Sequence, residues 1–494
     1  MPLDAVTREL QSVGKGIVAD RATTIRRTWL DTFDWRLFRA GDALIEESTG
    51  KGRTSLVLRS LGGDRPERRV PSAERPTTVE TLPVGLHGRL ADLLTPRALA
   101  VVGSERVHTR RLRQVDADGK TVAQIVVEAL DADDRVRVEL VPMLGYPAAE
   151  VIARTLDANA DLARIEDPLH QAAARQGLTP GELAGDLDEV TLRADEPAPV
   201  AVAELLAHLR DAMASNRVGL RKKLDTEFLH DFRVALRRSR SVLQLSRTLF
   251  DPALVERWQT ELSWIADISS APRDLDVFAL EVASYRTLLP DDAETGLSEV
   301  AAALAVRCGA AHAALDKALL SRRYTDLERG WRAAIAGMGE NPAPDAPPAL
   351  AFARRVIARA HRRVLKHGAA ITPDSPPTAL HDLRKDAKRL RYALEVFASV
   401  FPDEQIRPLV RELKKVQDVL GDYQDRQVHR LLLIDVAAEM AAADPPAPSG
   451  VLSASRLSAR LELQESEARA RYASCFERFS SKGNRRRFEQ LVSD

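Results

Sequence analysis

A chain of 494 residues is too long for one ordinary core, and 45% hydrophobic with 29% charged residues suits two or three water-facing domains. Its 72 basic and 72 acidic side chains cancel, so the overall balance indicates no anionic partner, and no run of about 18 apolar residues suggests a membrane span. Met1-Pro2-Leu3-Asp4 starts no signal peptide, and Cys308 and Cys475 lie far apart without His or Cys at metal-ligand spacing, which points to a cytoplasmic protein with free thiols and no structural zinc.

From about Thr24 to Leu140 the pattern alternates as strands do. The clearest candidates are Ser55-Leu56-Val57-Leu58, Thr121 to Val127 and Val136 to Leu140, with Asp118-Gly119 a hairpin turn after Arg111 to Val115. Residues 147–177 read as helix, with Leu156, Leu162 and Ile165 apolar, and Ala194 to Pro199 reads as a linker. From Val200 onward Ala/Leu/Arg-rich helical patterns dominate. Breaks at 337–348, 372–377 and 445–450 divide them.

Within this helical half the chain repeats itself at a separation of 151 residues. His230-Asp231-Phe232-Arg233, continuing to Arg237, Arg238 and Arg240, returns as His381-Asp382-Leu383-Arg384, continuing to Lys388, Arg389 and Arg391. The register runs on through Phe250/Phe401, Glu261/Glu412, Asp267/Asp418 and Asp274/Asp425. A duplication predicts two similar helical units.

Leu229, Phe232, Leu236, Leu243 and Phe250 fall at helical steps of three and four, as do Leu380, Leu383, Leu390, Leu394, Phe397 and Phe401. One residue on, about 100° around the helix, stand His230, Arg233, Arg237 and Arg240, mirrored by His381, Arg384, Lys388 and Arg391. Residues 216–247 hold nine Lys/Arg against three Asp/Glu, and 354–391 hold eleven against three, so the charge is sorted along the chain. A single basic row is ordinarily a solvated flank whose long side chains snorkel to water. Two rows in one register argue for a shared surface, provided the helices converge. Arg would give paired hydrogen bonds to phosphate oxygens, Lys a point charge, and His a donor that gains charge near anions. Arg221, Lys222, Lys223, Arg355, Arg359, Arg362, Arg363 and Lys366 would widen that surface, and Lys385 belongs to the second row.

The two stretches from His230 to Arg240 and from His381 to Tyr392 resemble the signature helices of the CHAD family, the conserved-histidine α-helical domain. Arg273-Asp274-Leu275-Asp276-Val277 and Leu420-Gly421-Asp422-Tyr423-Gln424-Asp425 resemble the segments that follow. The resemblance covers roughly 200–494 and implies two pseudo-symmetric helical bundles whose basic surface binds inorganic polyphosphate. His230, Arg233, Arg237, Arg238, Arg240, His381, Arg384, Lys385, Lys388, Arg389 and Arg391 are the implied contacts.

Trp29 to Leu37, followed by Ala40-Gly41-Asp42-Ala43-Leu44, is similar to a stretch of the CYTH family, the triphosphate tunnel fold. Leu56 to Arg59, Thr95-Pro96-Arg97 and Val138-Glu139-Leu140 fall where its later strands would be. The catalytic pattern is degenerate: no Glu-x-Glu-x-Lys lies in the first 30 residues. Leu44-Ile45-Glu46-Glu47 stands where Leu-Arg-x-Arg belongs, and Arg137-Val138-Glu139 replaces a late Glu-x-Glu. Metal-assisted phosphoryl chemistry needs clustered carboxylates and phosphate-holding cations, so no catalytic set is expected.

Asp274 and Asp425 read as helix caps or partners of nearby Arg rather than an acid–base pair, and His170, His208, His312 and His361 as ordinary histidines without partners. No Walker-type loop and no Ser/His/Asp arrangement occurs.

The expectation is therefore a multidomain protein. An N-terminal α+β antiparallel tunnel or barrel-like domain (1–190) precedes an all-α domain (200–494) of two pseudo-symmetric bundles, about 200–336 and 349–494. Its expected role is binding of polyphosphate, or targeting to polyphosphate granules, with no cofactor and no membrane partner. Two alternatives stand. One is a metal-dependent triphosphatase or polyphosphatase, using magnesium or manganese, with the helical domain as substrate-binding module. The other is RNA binding, disfavoured by the scarcity of aromatic stacking platforms beside the basic rows.

Overall fold

The computed structural model describes all residues except 1–2, 14–15, 51, 64, 132–135, 143–151, 155–162, 164, 166, 184–189, 291–292 and 494. The chain divides into two units, Met1–Leu183 and Ala184–Asp494.

The first unit runs α1 (Leu3–Val13), β1 (Ile17–Ala19), β2 (Thr23–Thr32), α2 (Arg36–Arg39), β3 (Asp42–Thr49), β4 (Thr54–Ser60), β5 (Arg68–Pro71), α3 (Val84–Leu94), β6 (Leu99–Val115), β7 (Thr121–Leu130), β8 (Val136–Pro142) and α4 (Pro168–Ala174). One eight-stranded antiparallel sheet results, in the order β5-β4-β3-β2-β6-β7-β8, with β1 also on β6. The expected hairpin turn is present: Asp116 Oδ1 accepts from the Asp118 and Lys120 amides, and Gly119 takes the positive φ the turn requires. The period of two gives each strand two apolar faces here. Leu30, Leu44 and Leu56 pack on Leu86, Leu90 and Leu94 of α3, whereas Trp29, Ile45 and Val57 pack on Leu169, Ala172 and Ala173 of α4. Gly103 permits the second contact, since a Cβ there would lie 2.8 Å from that of Ala172.

The sheet curls strongly. Arg59 on β4 and Glu139 on β8 stand five inter-strand steps apart, about 24 Å in a flat sheet, yet their side chains approach to 3.8 Å. Within the predicted helix at 147–177, Leu156 and Leu162 lie outside the described residues. Ile165 is exposed and not helical, and among the described residues of this stretch helix is found at 152–154 and over Pro168–Ala174.

The second unit contains, among the described residues, ten helices: α5 (Ala198–Lys222), α6 (Thr226–Leu245), α7 (Pro252–Tyr285), α8 (Glu294–Leu319), α9 (Arg322–Gly339), α10 (Ala349–Ala369), α11 (Pro377–Val396), α12 (Asp403–Ala442), α13 (Pro448–Phe479) and α14 (Lys482–Val492). The starts of α5, α6 and α7 recur 151 residues later in α10, α11 and α12. The apolar stripes are the core: Leu229, Phe232, Leu236, Leu243 and their counterparts are buried, while Phe250 is only partly covered.

The copies meet about a local two-fold. The Ala198 amide donates to Pro347 O at 2.8 Å and the Ala349 amide to Glu196 O at 2.8 Å, and each of these contacts maps onto the other at the repeat offset. The segment expected to be a linker, Ala194 to Pro199, is thus pinned at the pseudo-symmetry axis, with Pro197 bridged to Pro348. Farther along, α8 and α13 approach closely at Gly296, where a Cβ would meet Ser449 O at 2.2 Å.

Candidate anion-binding site

The axis brings α6 and α11 together, and with them the two basic rows. Asp225 starts α6 by accepting from the Glu227 and Phe228 amides, and Pro377 opens α11. Arg237 of the first copy donates to Tyr392 Oη of the second at 2.5 Å, and the guanidinium carbons of Arg237 and Arg391 lie 5.9 and 5.5 Å from the Tyr392 ring. One phenol therefore gathers a cation from each copy.

Around this contact the duplication is visible in chemistry. Arg233 faces Asp274 on α7, and Arg384 faces Asp425 on α12 with Nη2 3.5 Å from Oδ1. Both carboxylates lie within helices and serve as arginine partners, not caps. Arg233 is also tied down, its Nη1 donating to Ala266 O, Ser269 Oγ and Ser270 Oγ at 3.0–3.2 Å. His381 Nδ1 lies 2.8 Å from Gln424 Oε1, whereas the same offset puts Arg273 beside His230. Burial, then Arg273, pushes the His230 pKa below its ordinary value, against the pull of Glu227 and Asp231.

Cations outnumber their anionic partners here, and Lys388 registers it. Burial first, then Arg384, Arg237 and Arg391, lower its pKa to about 7, with Asp425 opposing. Arg237 in that set comes from the other copy. The Nε atoms of Arg240 and Arg384 are buried with no hydrogen-bond acceptor among the described residues, whereas Arg391 Nε lies 3.3 Å from Glu395 Oε1. The first two are donors that a multi-oxygen anion could satisfy.

Other predicted residues lie elsewhere. Arg238 pairs with Glu395 across α6 and α11, at 3.3 Å. Arg389 and Arg363 converge on the buried Asp386, together with His367, so they belong to the α10–α11 contact. Lys385 pairs with Asp382 in solvent, and Arg221 with Asp316. Lys222, Lys223, Arg355, Arg359, Arg362 and Lys366 are exposed. Sequence reasoning did not place Arg273 in the site, although it adjoins Asp274 within a segment already singled out. Tyr392, the residue that joins the rows, was missed because its counterpart in the first copy is Ser241.

The histidines set aside do have surroundings. His312 bonds to Asp276, His208 to Glu204 O, and His170 packs edge-on to Phe38. His361 stacks on Phe488 at 3.7 Å, where burial lowers its pKa to about 4. A groove of about 1000 Å³ beyond the C-terminal end of α6 holds Arg247 and Arg323 but also Glu256 and Asp267, a mixed lining that does not suit a polyanion.

In the N-terminal unit the expected anions are matched by cations. Glu47 is held by Arg27 at 2.8 Å and Arg69 at 2.6 Å, and Glu46 by Arg75 at 2.5 Å. Glu105 and Glu128, both buried, are bridged by Arg27 and Arg137. On the same face α4 is fastened at its two ends, Asp167 to Arg59 and Arg175 to Glu105.

Residues 204–434 match the family model for the CHAD domain. Among solved structures, the crystal structure of the CHAD domain from the plant Ricinus communis is similar over 58% of this chain and 94% of that one, with 29% identity and a TM-score of 0.50. PptA from Streptomyces chartreusis aligns over 57% of this chain and 100% of its own, with 18% identity and a TM-score of 0.45. No curated protein matches. Among the described residues no helix is long and apolar enough to cross a membrane. The duplicated helices, the histidine-led rows at the start of α6 and α11, and the family match agree: residues 204–434 of this chain are a CHAD domain.

Proposed function

We propose that the helical unit binds inorganic polyphosphate at the α6–α11 cluster, in a binding or granule-targeting role rather than in turnover. The observation that carries this reading is Lys388, an ammonium crowded by arginines of both copies and depressed to about 7. A flexible chain of phosphates supplies many acceptor oxygens to such a surface at once, and its charge relieves the repulsion among Arg237, Arg384, Lys388 and Arg391. Two rows related by a two-fold suit a ligand that is itself a repeat.

On the same reading the N-terminal unit is a CYTH-like domain without triphosphatase activity. What supports this is that, among the described residues, Glu47, Glu105 and Glu128 are each engaged by Arg27, Arg69 or Arg137, so these carboxylates and cations neutralise one another instead of holding a divalent ion and a phosphate.

Titration of the full chain with long-chain polyphosphate, and in parallel with single-stranded RNA of matched charge, tests the proposal. Polyphosphate should bind, with affinity falling about a thousandfold between ~50 and ~200 mM salt as counterions are released. RNA should bind more weakly, since among the described residues the aromatic ring against the rows' arginines is Tyr392, and it is buried. No polyphosphate binding at low salt, or equal affinity for RNA, would overturn the assignment.

A further inference from the structure

Away from the basic cluster, a second group of side chains converges between α7 and α8. Asp276 projects from α7, and Cys308 and His312 stand one turn apart on α8, where an i,i+4 pair shares a helix face. His312 Nε2 lies 2.9 Å from Asp276 Oδ1, and the Cys308 thiol donates to the same oxygen at 3.1 Å. One ligand atom from each residue lies within 4.8 Å of the others. Asp276 is 92% buried, and its Oδ2 has no hydrogen-bond partner among the described residues. The Cys308-x-x-x-His312 spacing stands in the sequence, so Cys308 does have a histidine at ligand spacing.

We propose that Asp276, Cys308 and His312 form a binding site for a transition-metal dication, zinc by ligand chemistry, with a fourth position left to water. Thiolate, imidazole and carboxylate together are a zinc donor set, and three protein ligands with one open position are the pattern of accessible zinc sites. Tetrahedral bonds of about 2.0–2.3 Å put ligand atoms about 3.3–3.7 Å apart, so the 2.9 and 3.1 Å contacts to Asp276 Oδ1 need to lengthen by roughly half an ångström. Magnesium and calcium, which take oxygen ligands, fit poorly.

Without metal the thiol is protonated: burial, then its hydrogen bond to Asp276, raises the Cys308 pKa to about 11. Metal binding expels that proton to solvent as the Sγ–metal bond forms, and the Lys223 ammonium nearby favours the thiolate. His312 keeps 18% of its side chain exposed, which leaves an entry path. The site belongs to one copy alone. At the 151-residue offset stand Gln427, Ala459 and Leu463, none of which can replace the trio. It is therefore not part of the duplicated basic rows.

The test is cobalt titration of the metal-free full chain, without polyphosphate. One equivalent of Co²⁺ should produce a near-ultraviolet thiolate-to-cobalt charge-transfer band, bleached by Zn²⁺ and indifferent to excess Mg²⁺. Cys308→Ser should remove the band, Cys475→Ser should retain it, and His312→Gln should weaken cobalt binding at least tenfold. Absence of the band in the unsubstituted chain at saturating cobalt overturns the proposal and leaves a hydrogen-bonded polar cluster. So does a band that follows Cys475 or is unchanged in His312→Gln, arms that decide the matter even if Cys308→Ser fails to fold.

Discussion

Polyphosphate affinity should depend on pH through Lys388, and the size of the effect follows from its surroundings. The free protein holds this amine at about 7 because burial and three arginines disfavour its charge. A bound polyanion supplies the missing counter-charge, so in the complex the pKa returns toward the ordinary 10.5. Between those values the complex carries a proton the free protein lacks, and affinity falls up to tenfold per pH unit. From pH 7 to 9 that is up to a hundredfold, about 2.7 kcal/mol, while below 7 this contribution is flat. Internal phosphates stay ionised throughout, and in the free protein burial and Arg273 hold the His230 pKa below its usual value. Calorimetry at pH 8 in two buffers of different ionisation enthalpy should register uptake of about one proton. Lys388→Met should abolish that uptake and flatten the profile, so that the two affinities converge only as the pH approaches about 10.5.

The same shift makes a stability statement. The folded pKa lies below the unfolded one, so between about 7 and 10.5 the unfolded chain binds more protons and stability rises with pH. The penalty is fully present below 7. Its ceiling is about 5 kcal/mol, reduced to a few kcal/mol by partial solvent contact, so Lys388→Met should raise the denaturant midpoint most at neutral and acid pH. Zero proton uptake, with an equal pH slope in Lys388→Met, would refute the reasoning.

If the two rows share one ligand, Arg233→Ala with Arg237→Ala and Arg384→Ala with Lys388→Ala should each weaken polyphosphate binding at least tenfold in titration. Only the first pair should also lower stability, by about 1–3 kcal/mol in urea, because Arg233 ties α6 to three acceptors on α7. Gly296→Ala should cost about 1–3 kcal/mol by the same measurement, since its Cβ would sit 2.2 Å from Ser449 O where α8 and α13 cross. Added magnesium or manganese should release no phosphate from triphosphate in a colorimetric assay; metal-dependent release lost in Glu139→Ala would instead make the N-terminal unit an enzyme.

The 151-residue repeat and the period of its apolar positions determine much without coordinates. They place α6 and α11, bury Phe232 and Leu383, and set His230, Arg233, Arg237, His381, Arg384 and Lys388 beside the core. Such features are local, because helical geometry converts spacing along the chain directly into a face. Which members of the rows meet was decided by the two-fold that reciprocal bonds at Ala198 and Ala349 establish. It turns Arg237 toward Tyr392 and Lys388, while Arg389 joins Arg363 on Asp386. Pairing of charges across the curled sheet was likewise invisible, since Arg27, Glu47, Glu105 and Glu128 sit on four different strands. So was the meeting of Asp276 with Cys308 and His312, 32 and 36 residues away along the chain. Periodicity tells which way a side chain points from its own helix or strand, but electrostatics depends on what stands opposite, and that is a property of packing.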